Sequence, residues 1–207
     1  MKELEPGVAP GVTRFALDAI APTPWKNGGG TTREIAVWPP GAGMDAFAWR
    51  VSVADIVADG PFSAFPGIDR QIALLEGAGV HLQAHDDSFC HKLTAIGEPF
   101  GFAGDTAVHA TLVEGPTRDF NVMARRGVCH ADVALQRQPF EVETGNDAVM
   151  VFVIRGEWRS ADGLSLRDGE GLLVSAGAGG ASGRLALAPA EISALCLRVL
   201  LQMEPAQ

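Results

Sequence analysis

The hydrophobic positions of this chain fall in short runs, in which apolar and polar residues tend to alternate, and turn signals separate the runs. A period of two over about four to eight residues is typical of β-strands. Glycine- and proline-rich turns, such as Asp59-Gly60-Pro61 and Gly115-Pro116, lie between the runs. No segment sustains the spacing of an amphipathic helix beyond a turn or two. The pattern predicts an all-β protein.

The runs predict about a dozen strands, and so many short strands with little helix favour a barrel or a jelly-roll sandwich. This number is about twice what one small barrel needs. Gly115-Pro116-Thr117 is the best break, which predicts domains over residues 1–115 and 116–207 with a boundary that strands can cross. The glycine-rich residues 177–183 are predicted to form a flexible surface loop. The predicted strands are residues 13–17, 35–38, 47–53, 71–75, 80–84, 106–113, 120–125, 133–136, 148–154, 171–174, 184–187 and 194–201.

Composition and charge narrow the classes of partner. The chain has 207 residues, of which 47% are hydrophobic, and a formal net charge of -9. A nucleic-acid partner is not expected, because phosphate contacts need a basic face and the chain has no Lys/Arg run. An anion site would have to be a local positive pocket in a negative protein.

The N-terminal residues, the length of the apolar runs and the cysteines lead us to expect a cytoplasmic protein without a membrane partner. The first residues lack a basic region followed by a long apolar core, and the longest purely apolar run, residues 148–154, is too short to span a bilayer. Cys90, Cys129 and Cys196 are odd in number and far apart, so neither a disulfide framework nor a zinc knuckle is indicated. We expect three buried, reduced thiols.

One N-terminal segment, PWKNGGGTTRE at residues 24–34, combines cationic groups, amide donors and backbone N–H groups without side-chain cover. This mixture suits a small anion. The same glycines are also what a tight turn between strands requires, with Trp25 as a plug for a barrel end. The lysine precedes the glycines and the G-x-x-x-x-G-K-[ST] spacing is missing, so a phosphate-binding P-loop and nucleotide hydrolysis are not expected. The sequence does not decide whether this segment is a binding loop or only a tight turn.

Two predicted strands place polar side chains on one face. In residues 49–53 the period of two groups Arg50 with Ser52, opposite an apolar face that includes Trp49. In residues 120–125 it groups Asn121 with Met123 and Arg125. Such a face can simply be solvated, but polar residues accumulate beside apolar strands in an otherwise acidic protein. The candidates are Lys26, Asn27, Arg50, Ser52, Arg70 and Asn121.

Four motifs, in order over about the first 126 residues, give the chain a resemblance to the HutD/Ves family. They are PWKNGGGTTREI (24–35), WRVSVA (49–54), GPFS with FPGIDR (60–63 and 65–70), and DFNVM followed by two arginines (119–123 and 125–126). The resemblance implies a bicupin, which is two packed cupin-type β-barrels of jelly-roll type. It also implies a link to bacterial histidine utilisation, a pocket for formate or an N-formylglutamate-like acid, and a regulatory or flux-governing role without an established enzymatic activity.

The family motifs coincide with the polar candidates, so a role can be assigned to each. Arg50 would clamp a carboxylate with two parallel donors, and Lys26 would add a point charge. The amides would orient an amide or formyl group, Ser52 would donate its hydroxyl, and Trp25 would form an apolar wall, while barrel core is the expected place of Trp49. Arg70 and Arg33 stand next to acids and are equally compatible with structural ion pairs. The ligand-binding candidates are therefore Trp25, Lys26, Asn27, Arg50, Ser52, Arg70 and Asn121.

Metal and hydrolase chemistry form the alternative. The five histidines lack the cupin pattern of H-x-H followed by Glu and a later His, and no G-x-S-x-G elbow exists. A site from His81, His85 and His91 with Asp86 or Asp87 is conceivable.

The sequence therefore favours a metal-free binding protein without a cofactor, which takes a small anionic metabolite and regulates or governs histidine utilisation. The alternative is a cupin enzyme that acts on a small formylated or carboxylic acid, either metal-dependent or with Lys26 as a base. The sequence leaves open whether the protein forms a homodimer.

Overall fold

The computed structural model describes residues 11–145, 147–175 and 183–205, which form an all-β structure. Helix in these ranges is limited to one 3-10 turn at Leu17–Ala19. None of the described helical structure is long and apolar enough to cross a membrane. The strands are β1 (Val12–Ala16), β2 (Thr23–Pro24), β3 (Gly30–Trp38), β4 (Trp49–Ile56), β5 (Gly60–Phe62), β6 (Ile68–Glu76), β7 (Val80–Ala84), β8 (Cys90–Leu93), β9 (Pro99–Ala103), β10 (Val108–Leu112), β11 (Thr117–Arg125), β12 (Cys129–Gln136), β13 (Phe140–Thr144), β14 (Ala148–Arg155), β15 (Trp158–Arg159), β16 (Ser165–Leu166), β17 (Glu170–Val174), β18 (Gly183–Pro189) and β19 (Leu195–Met203).

The chain divides into two compact units, but not at the predicted boundary. One unit is Ile20–Val133 with Glu204–Gln207, and the other is Met1–Ala19 with Ala134–Met203. Gly115 does lie in a turn, with a φ of 67°. However, the strand that follows it, β11, is hydrogen-bonded between β4 and β6 and so belongs with the residues before the turn. The N-terminal strand β1 pairs with β17, which places it with the C-terminal part of the chain.

The unit Ile20–Val133 contains two antiparallel sheets. Their strand orders are β2-β3-β4-β11-β6-β9 and β5-β10-β7-β8. Apolar side chains of β6, including Ile72 and Leu74, pack in one cluster with Val80, Leu82 and Val108 of the second sheet. This inward face of β6 is the one that carries Arg70, because alternate residues of a strand share a face.

The other unit contributes β1, β17, β14 and β19 to a five-stranded sheet, in the order β1-β17-β14-β19-β12, and it also contains a four-stranded sheet, in the order β13-β18-β15-β16. Its core joins Val151 and Val153 of β14 to Trp158, Leu166 and Leu187 of the smaller sheet. Trp158 is completely buried. Each unit therefore has a core of its own.

All twelve predicted strands overlap strands of the structure, and seven short strands were missed. All seven missed strands have only two to five residues, and β5 and β9 contain Gly and Pro, which are typical of turns. The prediction of three buried thiols is wrong for Cys90, which is exposed because it lies on the edge strand β8; Cys129 and Cys196 are buried. The predictions for residues 1–7 and 177–182 fall outside the described residues.

Candidate functional site

A cavity of about 450 Å³ lies in the unit Ile20–Val133, against the inward faces of its central strands β4, β11 and β6. All seven ligand-binding candidates from the sequence line it. Its other walls are mostly apolar or aromatic. The lining residues are Pro24, Trp25, Lys26, Asn27, Thr32, Met44, Arg50, Ser52, Ala54, Ile56, Pro61, Phe62, Ser63, Phe65, Arg70, Ile72, Asp119, Asn121 and Met123.

Strand register brings the polar candidates together. Met123 of β11 lies opposite Arg50 on β4 and opposite Arg70 on β6, so the two arginines flank one residue. Two positions earlier along β11, Asn121 lies opposite Ser52. Because directly opposed residues of an antiparallel pair project to the same face, these side chains point into one space. The polar faces predicted for residues 49–53 and 120–125 are thus directed into the cavity, except for Arg125, which does not line it.

Arg70 is buried, with 8% of its surface exposed. Its Nε and Nη2 both donate to Oδ1 of Asn121, at 3.2 and 3.0 Å. Its guanidinium also lies 5.0 to 5.6 Å from the ring centres of Phe62, Phe65 and Phe102. Burial lowers the pKa of Arg70 to about 10, and the positive charge of Arg50 contributes to this effect. Arg70 therefore stays charged at neutral pH inside an aromatic enclosure.

Arg50 is held from two sides. Its Nε donates to Oε2 of Glu34 at 2.7 Å, and its Nη1 donates to Oγ of Ser52 at 3.2 Å. Its Nη2, like Nη1 of Arg70, makes no hydrogen bond within the described part of the chain. Two like charges in one cavity repel, so the arrangement favours an anion that takes both unused donors.

The loop between β2 and β3 is a tight turn and also a wall of the cavity, so the two interpretations from the sequence are compatible. The N–H of Gly28 donates to the main-chain oxygen of Trp25, and that of Gly29 donates to Oδ1 of Asn27. These N–H groups are therefore not free to bind an anion, which corrects that part of the binding-loop prediction. What the loop adds to the cavity is the cation of Lys26, the side chain of Asn27 and the ring of Trp25.

Trp25 is fixed in this position by two neighbours. Its indole Nε1 donates to Oγ1 of Thr32 at 2.7 Å. A Cβ on Gly30 would lie 3.2 Å from the six-membered part of the Trp25 ring. Glycine is therefore needed at position 30 for the ring to pack against the first residue of β3, and the ring contributes apolar surface to the cavity.

Asp119 is a lining residue that the sequence analysis missed. It is 3% exposed, and within the described ranges neither carboxyl oxygen has a hydrogen-bond partner of normal geometry. Burial raises the pKa of Asp119 from the ordinary 3.8 to about 7, against the opposing effects of the nearby Thr117 hydroxyl and of the charge of Arg70. The predicted strand began one residue later, at Phe120. A period of two extended back from Asn121 would have placed Asp119 on the same face.

Arg33 does not reach the cavity and has a structural role. It pairs with Asp55, which also accepts from Nε of Arg118 at 2.7 Å. Its sequence neighbour Glu34 pairs with Arg50 instead, because adjacent strand residues point to opposite faces. For the same reason Asp69 does not pair with Arg70.

Comparison with known proteins identifies the family to which the chain belongs. Residues 18–194 match the HutD family. The chain belongs to the HutD family. It is 46% identical over 145 residues to the protein Ves of Citrobacter koseri, covering 70% of this chain and 73% of that protein. The structure of HutD from Pseudomonas fluorescens SBW25, in a formate condition, superposes with a TM-score of 0.81 at 30% identity and covers 94% of this chain and 100% of that one.

The fold of this HutD-family protein is also shared with more distant proteins. Ylba of E. coli matches with a TM-score of 0.68 at 9% identity, covering 95% of this chain and 93% of that one, and this likeness concerns the fold alone. The neighbours of this kind are cupin-like. The HutD/Ves resemblance inferred from four sequence motifs is thus confirmed.

The alternative metal site does not form in the part of this HutD-family protein that the structure describes. His81 lies on β7 and His91 on β8, where the His91 ring stacks on Phe100 with the ring centres 3.8 Å apart. Within the described ranges, no three or more His, Cys, Asp or Glu side chains are grouped so that they could hold a metal ion.

Proposed function

We propose that this HutD-family protein is a metal-free binding protein for a small carboxylate, such as formate or an N-formylglutamate-like acid, and that it regulates or governs histidine utilisation. The proposed scaffold is a bicupin of two packed cupin-type barrels, with the site in the unit Ile20–Val133. The single observation that carries the proposal is that Lys26, Arg50 and Arg70 line one cavity in a protein of net charge -9.

The arginines support recognition of a carboxylate in particular. A guanidinium offers donors in a planar fork that matches the two carboxylate oxygens, and hydrogen bonds to a charged group contribute about 1.5 to 3 kcal/mol each. One nitrogen of Arg50 and one of Arg70 have no hydrogen-bond partner within the described residues. A bound anion would use these donors and would relieve the repulsion between the two cations.

Cavity size favours an acid larger than formate. With at best about 1.5 kcal/mol per heavy atom, a three-atom formate reaches roughly 4.5 kcal/mol, or a Kd near 0.5 mM. A cavity of about 450 Å³ falls within the ordinary range of ligand sites. Its walls of Trp25, Phe62 and Phe65 would contact the carbon atoms of a longer acid. The formate condition of the P. fluorescens HutD structure is consistent with an acid of this class.

The test is a thermal-shift titration of N-formylglutamate against wild type, Arg50→Lys and Arg50→Ala. At a hundred times Kd, a ligand stabilises the folded protein by about 2.7 kcal/mol, which is readily visible in the wild type. The shift should fall in Arg50→Lys, which keeps the charge but loses the fork, and fall further in Arg50→Ala.

The control for this test is stability without ligand. The side chain of Arg50 is 12% exposed and that of its partner Glu34 is 45% exposed, so loss of this half-buried pair should lower the free energy of unfolding by roughly 1 to 2 kcal/mol. Arg159→Ala, which removes an exposed ion pair with Glu157, is the matched variant and should keep the full ligand shift. A wild type without a shift, or an Arg50→Ala variant that keeps it, would refute the proposal.

An enzyme acting on the same acid is the second candidate, favoured by one observation. Asp119 is a buried carboxyl in the cavity wall with a pKa raised to about 7 by burial, which is a property of general bases. Hydrolysis of N-formylglutamate adds water across the formamide bond and releases formate and glutamate. Both products are visible by proton NMR, with and without added divalent metal. Turnover that is lost in Asp119→Asn would establish the enzyme, and the absence of products would leave the binding protein.

A further inference from the structure

Asp119 is the one polar lining residue whose charged atoms are buried and unpartnered within the described part of the chain. Among the described residues, neither carboxyl oxygen accepts a hydrogen bond of normal geometry, and no arginine or lysine forms an ion pair with them. The nearby Thr117 hydroxyl donates to the main-chain oxygen of Glu76 at 2.9 Å. Native proteins rarely keep a buried acceptor without a donor, because such a group loses its hydrogen bonds to water and gains none from the protein.

The position of Asp119 along β11 separates it from the cationic part of the cavity. Asn121, which accepts from Arg70, lies two residues further on, and Met123, which the two arginines flank, lies four residues further on. A strand advances about 3.4 Å per residue, so these separations are roughly 7 and 14 Å. One ligand can therefore place a carboxylate near the arginines and a different group near Asp119.

Resting on the proposed function, we infer that the acid bound in this cavity carries a hydrogen-bond donor, an amide N–H or a hydroxyl, which Asp119 accepts while Arg50 and Arg70 hold the carboxylate. The ligand class is then an N-acyl amino acid or a hydroxy acid. A simple carboxylate such as formate has no N–H or O–H at neutral pH and leaves Asp119 without a partner.

A neutral donor fits this site better than a ligand ammonium. Asp119 lies within the electrostatic influence of Arg70, and Lys26 and Arg50 line the same cavity. An ammonium group would pair with Asp119 but would also add a fourth cation to a cavity that holds Lys26, Arg50 and Arg70, whereas an amide or a hydroxyl would not. The inference therefore also predicts that N-formylglutamate binds more tightly than glutamate.

The test uses two acids that differ in one hydroxyl, glutarate and 2-hydroxyglutarate, with their Kd values measured by isothermal titration calorimetry at pH 8. A hydrogen bond to a charged acceptor corresponds to at least about a tenfold difference in Kd, so wild type should bind 2-hydroxyglutarate about tenfold more tightly. In Asp119→Leu, which has similar size and no acceptor, the ratio should fall to about one while glutarate binding persists.

Asp55→Asn is the matched control, because Asp55 is a carboxylate on the neighbouring β4 that is bound by Arg33 and Arg118 and does not line the cavity. It should keep the tenfold preference. Equal binding of the two acids by wild type, or a preference that survives in Asp119→Leu, would overturn the inference and leave the proposed function standing. Failure of wild type to bind glutarate, 2-hydroxyglutarate and N-formylglutamate alike would overturn both.

Discussion

Replacement of Asp119 by asparagine is expected to stabilise the ligand-free protein above neutral pH. The wild-type carboxyl is buried without a hydrogen-bond partner, and burial raises its pKa to about 7 from the ordinary 3.8. Asparagine has nearly the same shape but carries no charge. The substitution therefore removes the free-energy cost of ionising a group inside the protein.

The magnitude follows from the difference between the two pKa values. A difference of roughly 3 corresponds to about 4 kcal/mol at a pH above both values. The asparagine amide would still be buried without a known partner, which costs about 1 to 3 kcal/mol. The net gain is then about 2 kcal/mol, or a rise of about 4 to 8 °C in Tm for a chain of this length.

The sign of the pH dependence is a further check. Below pH 3.8 the carboxyl is protonated in the folded and unfolded states, and ionisation costs nothing. Between pH 3.8 and about 7 the unfolded chain loses this proton first, so wild-type stability falls as the pH rises. Above about pH 7 the full cost is present. The advantage of Asp119→Asn should therefore be about 2 kcal/mol at pH 8.5 and should disappear at pH 4.5, where an ionisation cost of about 1 kcal/mol no longer exceeds the burial cost of the asparagine amide.

Urea and thermal unfolding at these two pH values measure the effect, and Asp55→Asn serves as the control of opposite sign. Burial acts to raise the pKa of Asp55, but its hydrogen bonds from Arg118 and Arg33 outweigh burial and hold the pKa below 3.8. Loss of this carboxylate should destabilise the protein at neutral pH. An Asp119→Asn variant that is less stable than wild type by the same amount at both pH values would show that Asp119 has a structural partner, and the reasoning would fail.

Two further predictions concern packing and accessibility. Gly30→Ala should lower the free energy of unfolding by about 1 to 3 kcal/mol and weaken ligand-induced thermal shifts, because the new Cβ would clash with the main-chain oxygen of Asp55 and the ring of Trp25. Gly43→Ala is the control for the same thermal unfolding measurements. It should be neutral, because its Cβ would contact nothing within 4 Å. Ellman's reagent should titrate one thiol per native chain, that of Cys90, and three in denaturant, since the other two cysteines are buried. Rapid reaction of a second native thiol would contradict the packing.

Much of the fold could be predicted because apolar and polar residues alternate with a period of two along the long strands. Residues 49–53 of β4 and 120–125 of β11 show it, and the two faces of these segments were assigned from the sequence. A strand such as β5, Gly60–Phe62, is too short to show any period and contains Pro61. It is a strand because β10 pairs with it, and such pairing depends on the tertiary structure. The same reason explains why the observed units do not divide at Gly115, since the pairing of β11 was not visible in the sequence.

The candidate site was predictable to the extent that residue type and face decide it. Arg50 and Ser52 could be grouped from alternation alone. Their meeting with Asn121 needed the register of β4 against β11, which the sequence does not contain. Arg70 was ambiguous because its neighbour Asp69 offered an ion pair, and only the structure shows that Asp69 pairs with Arg126. Asp119 was missed because the predicted strand began at the apolar residue Phe120, which left the charged residue before it outside the strand.

The burial of the central strands supports the proposed binding role of these residues over a purely structural one. β11 is buried on both faces over most of its length, and Phe120 and Val122 on its apolar face are completely buried. Apolar residues at positions 119 and 121 would pack such a strand more stably than a carboxyl and an amide do. A polar face kept at this position, at a cost in stability, is typical of a functional site. The decisive result would therefore be a variant such as Asp119→Leu that gains stability without ligand and loses the ability to discriminate between acids, because a structural residue would lose stability instead.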